Sequence, residues 1–263
     1  MGSGIDFADL REYTAEDDVR HIDWNVTARM DEPYVRQYTQ DRELTAWLVL
    51  DRSASMRFGG GPDGKDRVLT ELAVCLGRLF TRSGNRVGAI LYDNARQQVI
   101  PPRTGRTHLL HVADQLGRGP DRGVNGRGTD LAAMLRLAAT TARRRGVIVV
   151  ISDFISDADW EPELTRLGQR HEVVCVRVVD PAELELPDVG LVLVEDAETG
   201  EQLLADTGDP VFRRRLAQQV AAREETLTDA MRRAGVLAQR VDTRQDTTVA
   251  LIDLVRATHR RRR

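Results

Sequence analysis

Leu44-Thr45-Ala46-Trp47-Leu48-Val49-Leu50-Asp51-Arg52-Ser53-Ala54-Ser55 decides the fold. Its first seven residues form a near-continuous apolar run, the pattern of a strand buried on both faces of a parallel sheet. The run then breaks at an acid followed by two spaced serines. Three more apolar runs follow, at Val87–Tyr92, Val147–Ile151 and Val173–Val179. Between them lie stretches whose apolar residues recur every three or four positions. Arg67–Thr81 is the first, with Val68, Leu72, Cys75, Leu76 and Leu79 on one stripe. Thr107–Leu116, Asp130–Arg145 and Asp159–Arg170 continue the series. Strands alternating with helices predict an α/β fold in three layers: a mostly parallel central sheet with helices on both faces.

Beyond Val179 the spacing predicts a hairpin, Val189–Val194 with Gln202–Ala205, around Asp196-Ala197-Glu198-Thr199-Gly200. Asp209-Pro210 opens a long helix ending near Gly235; Val236–Val241 reads as a strand and Thr247–Thr258 as a helix. Residues 1–43 are polar with poor periodicity, and Tyr34–Tyr38 is their better strand candidate. The expected organisation is an N-terminal extension, 1–43, packed on a core domain, 44–263, whose last part (about 181–263) elaborates the sheet.

The 263 residues carry 38 basic and 41 acidic side chains, a net charge of −3. That balance argues against a dedicated nucleic-acid binder. No run approaches the ~20 apolar residues of a membrane span, and no leader pattern is visible at Met1–Asp6. Cys75 and Cys175 have no metal or disulfide spacing and read as core. A cytoplasmic location is expected. Lys65 is the only lysine, a bias read as compositional.

In open α/β sheets ligands gather beyond the carboxyl ends of the strands. Asp51, Ser53 and Ser55 follow the first buried strand, and Ser152-Asp153 the third. Thr129 leads from a glycine-rich loop into a helix at the same edge. Two carboxylates and three hydroxyls, without Cys or His, form the all-oxygen set that a hard divalent cation prefers. Read singly, each has a plainer role: Ser and Asp are common turn residues, and Thr129 suits a helix cap.

Asp51-x-Ser53-x-Ser55, Thr129 and Asp153 together resemble the metal-ion-dependent adhesion site of von Willebrand factor type A domains. The resemblance covers about residues 44–180. It implies Mg²⁺, or Mn²⁺ or Ca²⁺, near Ser53, Ser55 and Thr129, with Asp51 and Asp153 acting largely through water. A narrower resemblance rests on Gly2-Ser3-Gly4-Ile5-Asp6-Phe7, Arg11-Glu12-Tyr13, Asp17-Asp18-Val19-Arg20, Ile22-Asp23-Trp24 and Ala28-Arg29. In that order before Asp51, they resemble the bacterial domain-of-unknown-function family fifty-eight, whose core is type-A-like. Ala15-Glu16 departs from a glycine common there. Members often neighbour MoxR-type AAA+ ATPases, which implies an adaptor accepting an acidic residue of such an ATPase or its client.

Other features carry less. Gly59-x-x-x-x-Gly64-Lys65-Asp66 imitates a phosphate loop, but Asp66 stands where a hydroxyl should meet Mg²⁺, so an exposed loop is expected. His108-x-x-His111 has no third ligand nearby. Arg11, Tyr13, Asp23, Trp24 and Arg29 form either a partner surface or an internal clasp. In the clasp, which is favoured, Arg–Asp pairs fix the extension and Trp24 buries its ring. No nucleophile elbow or triad order is present, so a non-enzymatic interaction module is expected. The alternatives are a Mg²⁺-dependent hydrolase at the same residues and a scaffold with an unoccupied site.

Overall fold

A computed structural model of the chain describes residues 6–14, 17–30, 32–39, 44–57, 64–93, 96–118, 129–156, 158–185, 188–195 and 202–261. The chain divides into two compact units, Met1–Glu43 and Leu44–Arg263.

In the first unit β1 (Asp6–Glu12) pairs antiparallel with β2 (Tyr34–Thr39), enclosing the short helix α1 (Trp24–Met30). Asp23 starts that helix: its carboxylate accepts from the Asn25 amide at 3.0 Å, and its own amide donates to Tyr34 O. The helix was not foreseen, because seven residues with no buried side chain leave no apolar stripe to read.

The second unit holds the predicted three layers. Its strands are β3 (Thr45–Asp51), β4 (Arg86–Tyr92), β5 (Gln97–Arg103), β6 (Val147–Ser152) and β7 (Glu172–Val179), then the hairpin β8 (Leu191–Glu195) and β9 (Gln202–Asp206), and finally β10 (Leu237–Asp242). Six of them form one sheet in the order β10-β7-β6-β3-β4-β5. All its pairings are parallel except that of β5, which carries Pro101 and Pro102 and lies at the edge, where missing donors are tolerated.

Its helices are α2 (Lys65–Arg82), α3 (Arg106–Gly117), α4 (Leu131–Thr141), α5 (Glu161–Arg170), α6 (Pro181–Leu184), α7 (Pro210–Arg233) and α8 (Thr247–Arg261). Strand alternation assigns the two faces. Ala46, Leu48 and Leu50 of β3 join Leu69, Leu72 and Leu76 of α2, Leu116 of α3 and Leu254 of α8. Trp47 and Val49 join Met134 and Leu135 of α4, Leu164 and Leu167 of α5, and Met231 of α7. Burying a side chain of this size contributes about 1.5–3 kcal/mol, which is why a two-sided strand reads as an unbroken apolar run.

Several expectations need correction. The helix expected to reach Arg145 ends at Thr141. Ala142 turns into the core, and Gly146 lies so close to β3 that any Cβ would stand 2.3 Å from the Thr45 carbonyl oxygen. Cys175 is buried but Cys75 is exposed, on the outer face of α2. Asp130, not Thr129, caps α4, accepting from the Ala133 amide at 2.8 Å. The tip of the β8–β9 hairpin lies outside the described residues. Among the described residues no helix is long and apolar enough to cross a membrane.

Candidate functional site

The carboxyl ends of β3 and β6, paired side by side, bring the sequence-derived residues to one edge of the sheet. Asp51, Ser53, Ser55, Thr129 and Asp153 are all buried. Asp51 Oδ1 accepts from the Ser53 amide at 3.0 Å, the local turn that an aspartate two residues ahead of a serine readily forms. The turn sets Ser53 Oγ 3.1 Å from Ser55 Oγ. Asp51 Oδ2 accepts from Ser152 Oγ at 2.6 Å, tying β3 to β6.

Ser152 also accepts from the Phe154 amide at 2.9 Å. Phe154 has φ 57°, the only non-glycine with positive φ among the described residues. A phenylalanine there is strained. The strain is held by that hydrogen bond and by an edge-on contact of the Phe154 ring with Trp160, centroids 5.6 Å apart. It turns the chain sharply after Asp153. Thr129 is tied to the segment after Asp153: its carbonyl accepts from Ser156 Oγ at 2.5 Å.

Asp153 has stronger partners than the sequence disclosed. Its Oδ1 accepts from the Ile155 amide at 3.0 Å, and its Oδ2 accepts from Lys65 Nζ at 2.8 Å. Lys65, the first residue of α2, is fully buried and also donates to Glu183 Oε1 at 2.5 Å. Glu183 in turn accepts from the Asp180 amide in the capping box of α6. From the other side Arg177 Nε donates to the Asp153 carbonyl at 3.1 Å and pairs with Glu224 of α7.

The two acids therefore sit in different fields. Asp51 accepts from a neutral amide and a neutral hydroxyl in a dry environment. Burial, together with the nearby Asp153 charge, pushes its carboxyl up to about 7. Burial also raises Glu183, against the pull of Lys65.

A divalent cation fits this chemistry. The donors are oxygens only, and a buried carboxylate whose hydrogen bonds come from a neutral amide and a neutral hydroxyl is one whose charge a cation would offset. Among the described residues no three His, Cys, Asp or Glu side chains cluster as a metal site, so the fit depends on hydroxyls joining two carboxylates.

The phosphate-loop imitation dissolves at its end. Residues 58–63 lie outside the described residues. Lys65 turns inward to Asp153, and Asp66 pairs with Arg52 at 3.0 Å, so neither faces a phosphate. His108 contacts the Val87 carbonyl at 2.7 Å and His111 is exposed.

In the first unit the favoured clasp needs revision. Arg11 does pair with an aspartate, but with Asp17, at 2.7 and 2.5 Å. The pair holds the Asp17 carboxyl well below the usual range. Asp23 serves α1 as described above. Tyr13 is half-buried and donates its amide to Pro33 O. Arg29 is exposed, and Trp24 is 69% exposed rather than buried, because it stands at the first position of a helix with no inner face. Ala15-Glu16 lies outside the described residues.

Sequence reasoning missed Lys65, Glu183, Ser152 and Arg177. One signal was available for Lys65: it is the only lysine among 38 basic residues.

Comparison with known proteins decides the family. The model described as "Protein of unknown function DUF58" matches residues 9–226. The chain belongs to this family. Uncharacterized proteins of Mycobacterium tuberculosis and Mycobacterium bovis are each 37% identical over 262 residues, all of this chain and 81% of theirs. Two solved structures share the fold. One is the conserved hypothetical protein BatB from Bacteroides thetaiotaomicron, with TM-score 0.53 and 14% identity over 84% of this chain and 100% of that one. The other is an aerotolerance-related membrane protein from Bacteroides fragilis, with TM-score 0.54 and 16% identity over 82% and 99%.

Proposed function

We propose that this DUF58 member is a non-enzymatic interaction module of the von Willebrand factor type A kind. In this reading Asp51, Ser53, Ser55, Thr129 and Asp153 hold a divalent cation, Mg²⁺ first, that accepts an acidic side chain of a protein partner. The carrying observation is the buried edge where Asp51 joins Ser53 and Ser152 while Ser53 meets Ser55. When bound, such an ion supplies a Lewis-acidic position open to a carboxylate. The chain's own part is to fix the donors in advance. Ser152 orients Asp51 across the strand pair, and the Ser53 amide sets the plane of its carboxylate. The strained Phe154 turn and Arg177 hold the Asp153 backbone.

The sequence resemblance suggests the partner, a MoxR-type AAA+ ATPase or its client. The test is direct binding of a MoxR-type ATPase from the same host to the wild-type chain and to Asp51→Ala, each in Mg²⁺ and in chelator. Retention by wild type in Mg²⁺ alone supports the reading. Equal retention in all four arms, or none in any, contradicts it.

A further inference from the structure

The site contains a cation of its own. Lys65 Nζ lies 2.8 Å from Asp153 Oδ2 and 2.5 Å from Glu183 Oε1, with no exposed surface. The chain meets almost every other need for positive charge with arginine, and this position alone holds lysine. The chemistry differs. An ammonium is a compact point charge on a thin stem, whereas a guanidinium is a flat fork that needs room on several sides. A closed space between two carboxylates, opening from the first turn of α2, suits the former.

The arrangement splits the site's charge unevenly. Asp51, Asp153 and Glu183 bring three acids; Lys65 brings a positive charge spent on Asp153 and Glu183, while the neighbouring Arg177 is spent on Glu224 and the Asp153 carbonyl. Asp51 takes neutral donors, the Ser53 amide and the Ser152 hydroxyl. A positive charge a few ångströms from an incoming divalent ion repels it, and the repulsion is weakly screened inside a protein.

We infer that the Lys65 ammonium is a resident counter-ion of the candidate metal site: it occupies the Asp153 side of the site and holds divalent-ion affinity below what the oxygen donors would otherwise give. The inference rests on the metal-site reading above and adds a residue that sets how much free Mg²⁺ the site requires.

The single lysine makes the test clean. Wild-type protein labelled with ¹³C at lysine Cε gives one lysine side-chain NMR signal. That signal is expected to move during a Mg²⁺ titration and to stay still in Asp51→Ala. In parallel, Mn²⁺ binding is measured by calorimetry for wild type, Lys65→Met and the double variant Lys65→Met/Glu183→Gln. The double variant removes one charge of each sign and protects against failure of the single variant to fold. Lys65→Met is expected to bind Mn²⁺ about tenfold or more tightly than wild type, and the double variant more tightly by a smaller factor, because the attraction of Glu183 is lost with it. A lysine with a packing role alone would lower stability in chelator without tightening metal binding. Wild-type Mn²⁺ binding with equal or weaker binding in both variants, or a motionless lysine signal, overturns the inference and leaves the metal reading standing. Absence of Mn²⁺ binding in every protein overturns both.

Discussion

The ends of β3 and β6 lie side by side in one sheet, and each leads into a buried aspartate, yet the two acids are held in opposite ways. Asp51 is fixed by neutral donors from its own turn and from Ser152. Asp153 is fixed by charge, through an ammonium from α2, and through its backbone by Arg177. The difference is one of charge: neutral donors at one strand end, an ammonium at the next. The β6 end is an electrostatic knot of one ammonium and two carboxylates. At the β3 end Asp51 takes neutral donors, and the adjacent Arg52 is paired with Asp66.

Breaking the knot carries the largest expected cost. Lys65→Ala leaves the buried Asp153 and the partly buried Glu183 without their cation, a loss of about 3–5 kcal/mol. Urea unfolding in chelator measures it. Lys65→Arg is expected to recover little, because the forked head does not fit a space closed to solvent.

The β3 end is tested by pH. Asp51 has its folded value raised to about 7 from an ordinary 3.8. Between those values the folded state keeps a proton that the unfolded state has lost. In chelator its contribution is therefore full below about pH 4 and fades as pH rises through about 7, by ~1.4 kcal/mol for each unit of separation at most. Asp51→Asn is expected to flatten that decline in thermal melts across pH 4 to 8. An unchanged slope would show that Asp51 is not the group concerned.

The join between the two ends comes next. Ser152→Ala removes a donor to Asp51 and an acceptor for the Phe154 amide, both buried. The expected loss is about 1–3 kcal/mol, with weaker Mn²⁺ binding in calorimetry. The smallest effect belongs to the outer support of Asp153. Glu224 is partly exposed, and Arg177 holds its carboxyl below the usual range. Glu224→Gln is expected to cost about 0.2–1 kcal/mol and to leave Mn²⁺ affinity within twofold or so.

The sequence disclosed these regions unequally, for physical reasons. Strands buried on both faces announce themselves as apolar runs, so β3, β4, β6 and β7 were readable to within a residue or two. The long α7 was equally plain, because Asp209, Pro210 and Gly235 punctuate it. The shared edge of Asp51, Ser53, Ser55 and Asp153 was legible because position after a parallel strand fixes which edge a residue occupies. Lys65 was not. It looked like the end of an exposed glycine loop, and nothing local reveals that a lysine at a helix start reaches a carboxylate 88 positions away. Glu183 was hidden likewise, since its helix is a four-residue turn after β7. Trp24 misled in the opposite direction. A tryptophan among charges suggests a buried ring, but α1 has no buried face to receive it.

The central claim, that this edge binds a divalent cation through its oxygen donors, is met most directly by a calorimetric Mn²⁺ titration of the intact chain beside Asp51→Ala, after exhaustive chelation. The account predicts saturable binding of one ion per chain, competed by Mg²⁺ and abolished in the variant. Binding that is absent from wild type, or unchanged in Asp51→Ala, would contradict it.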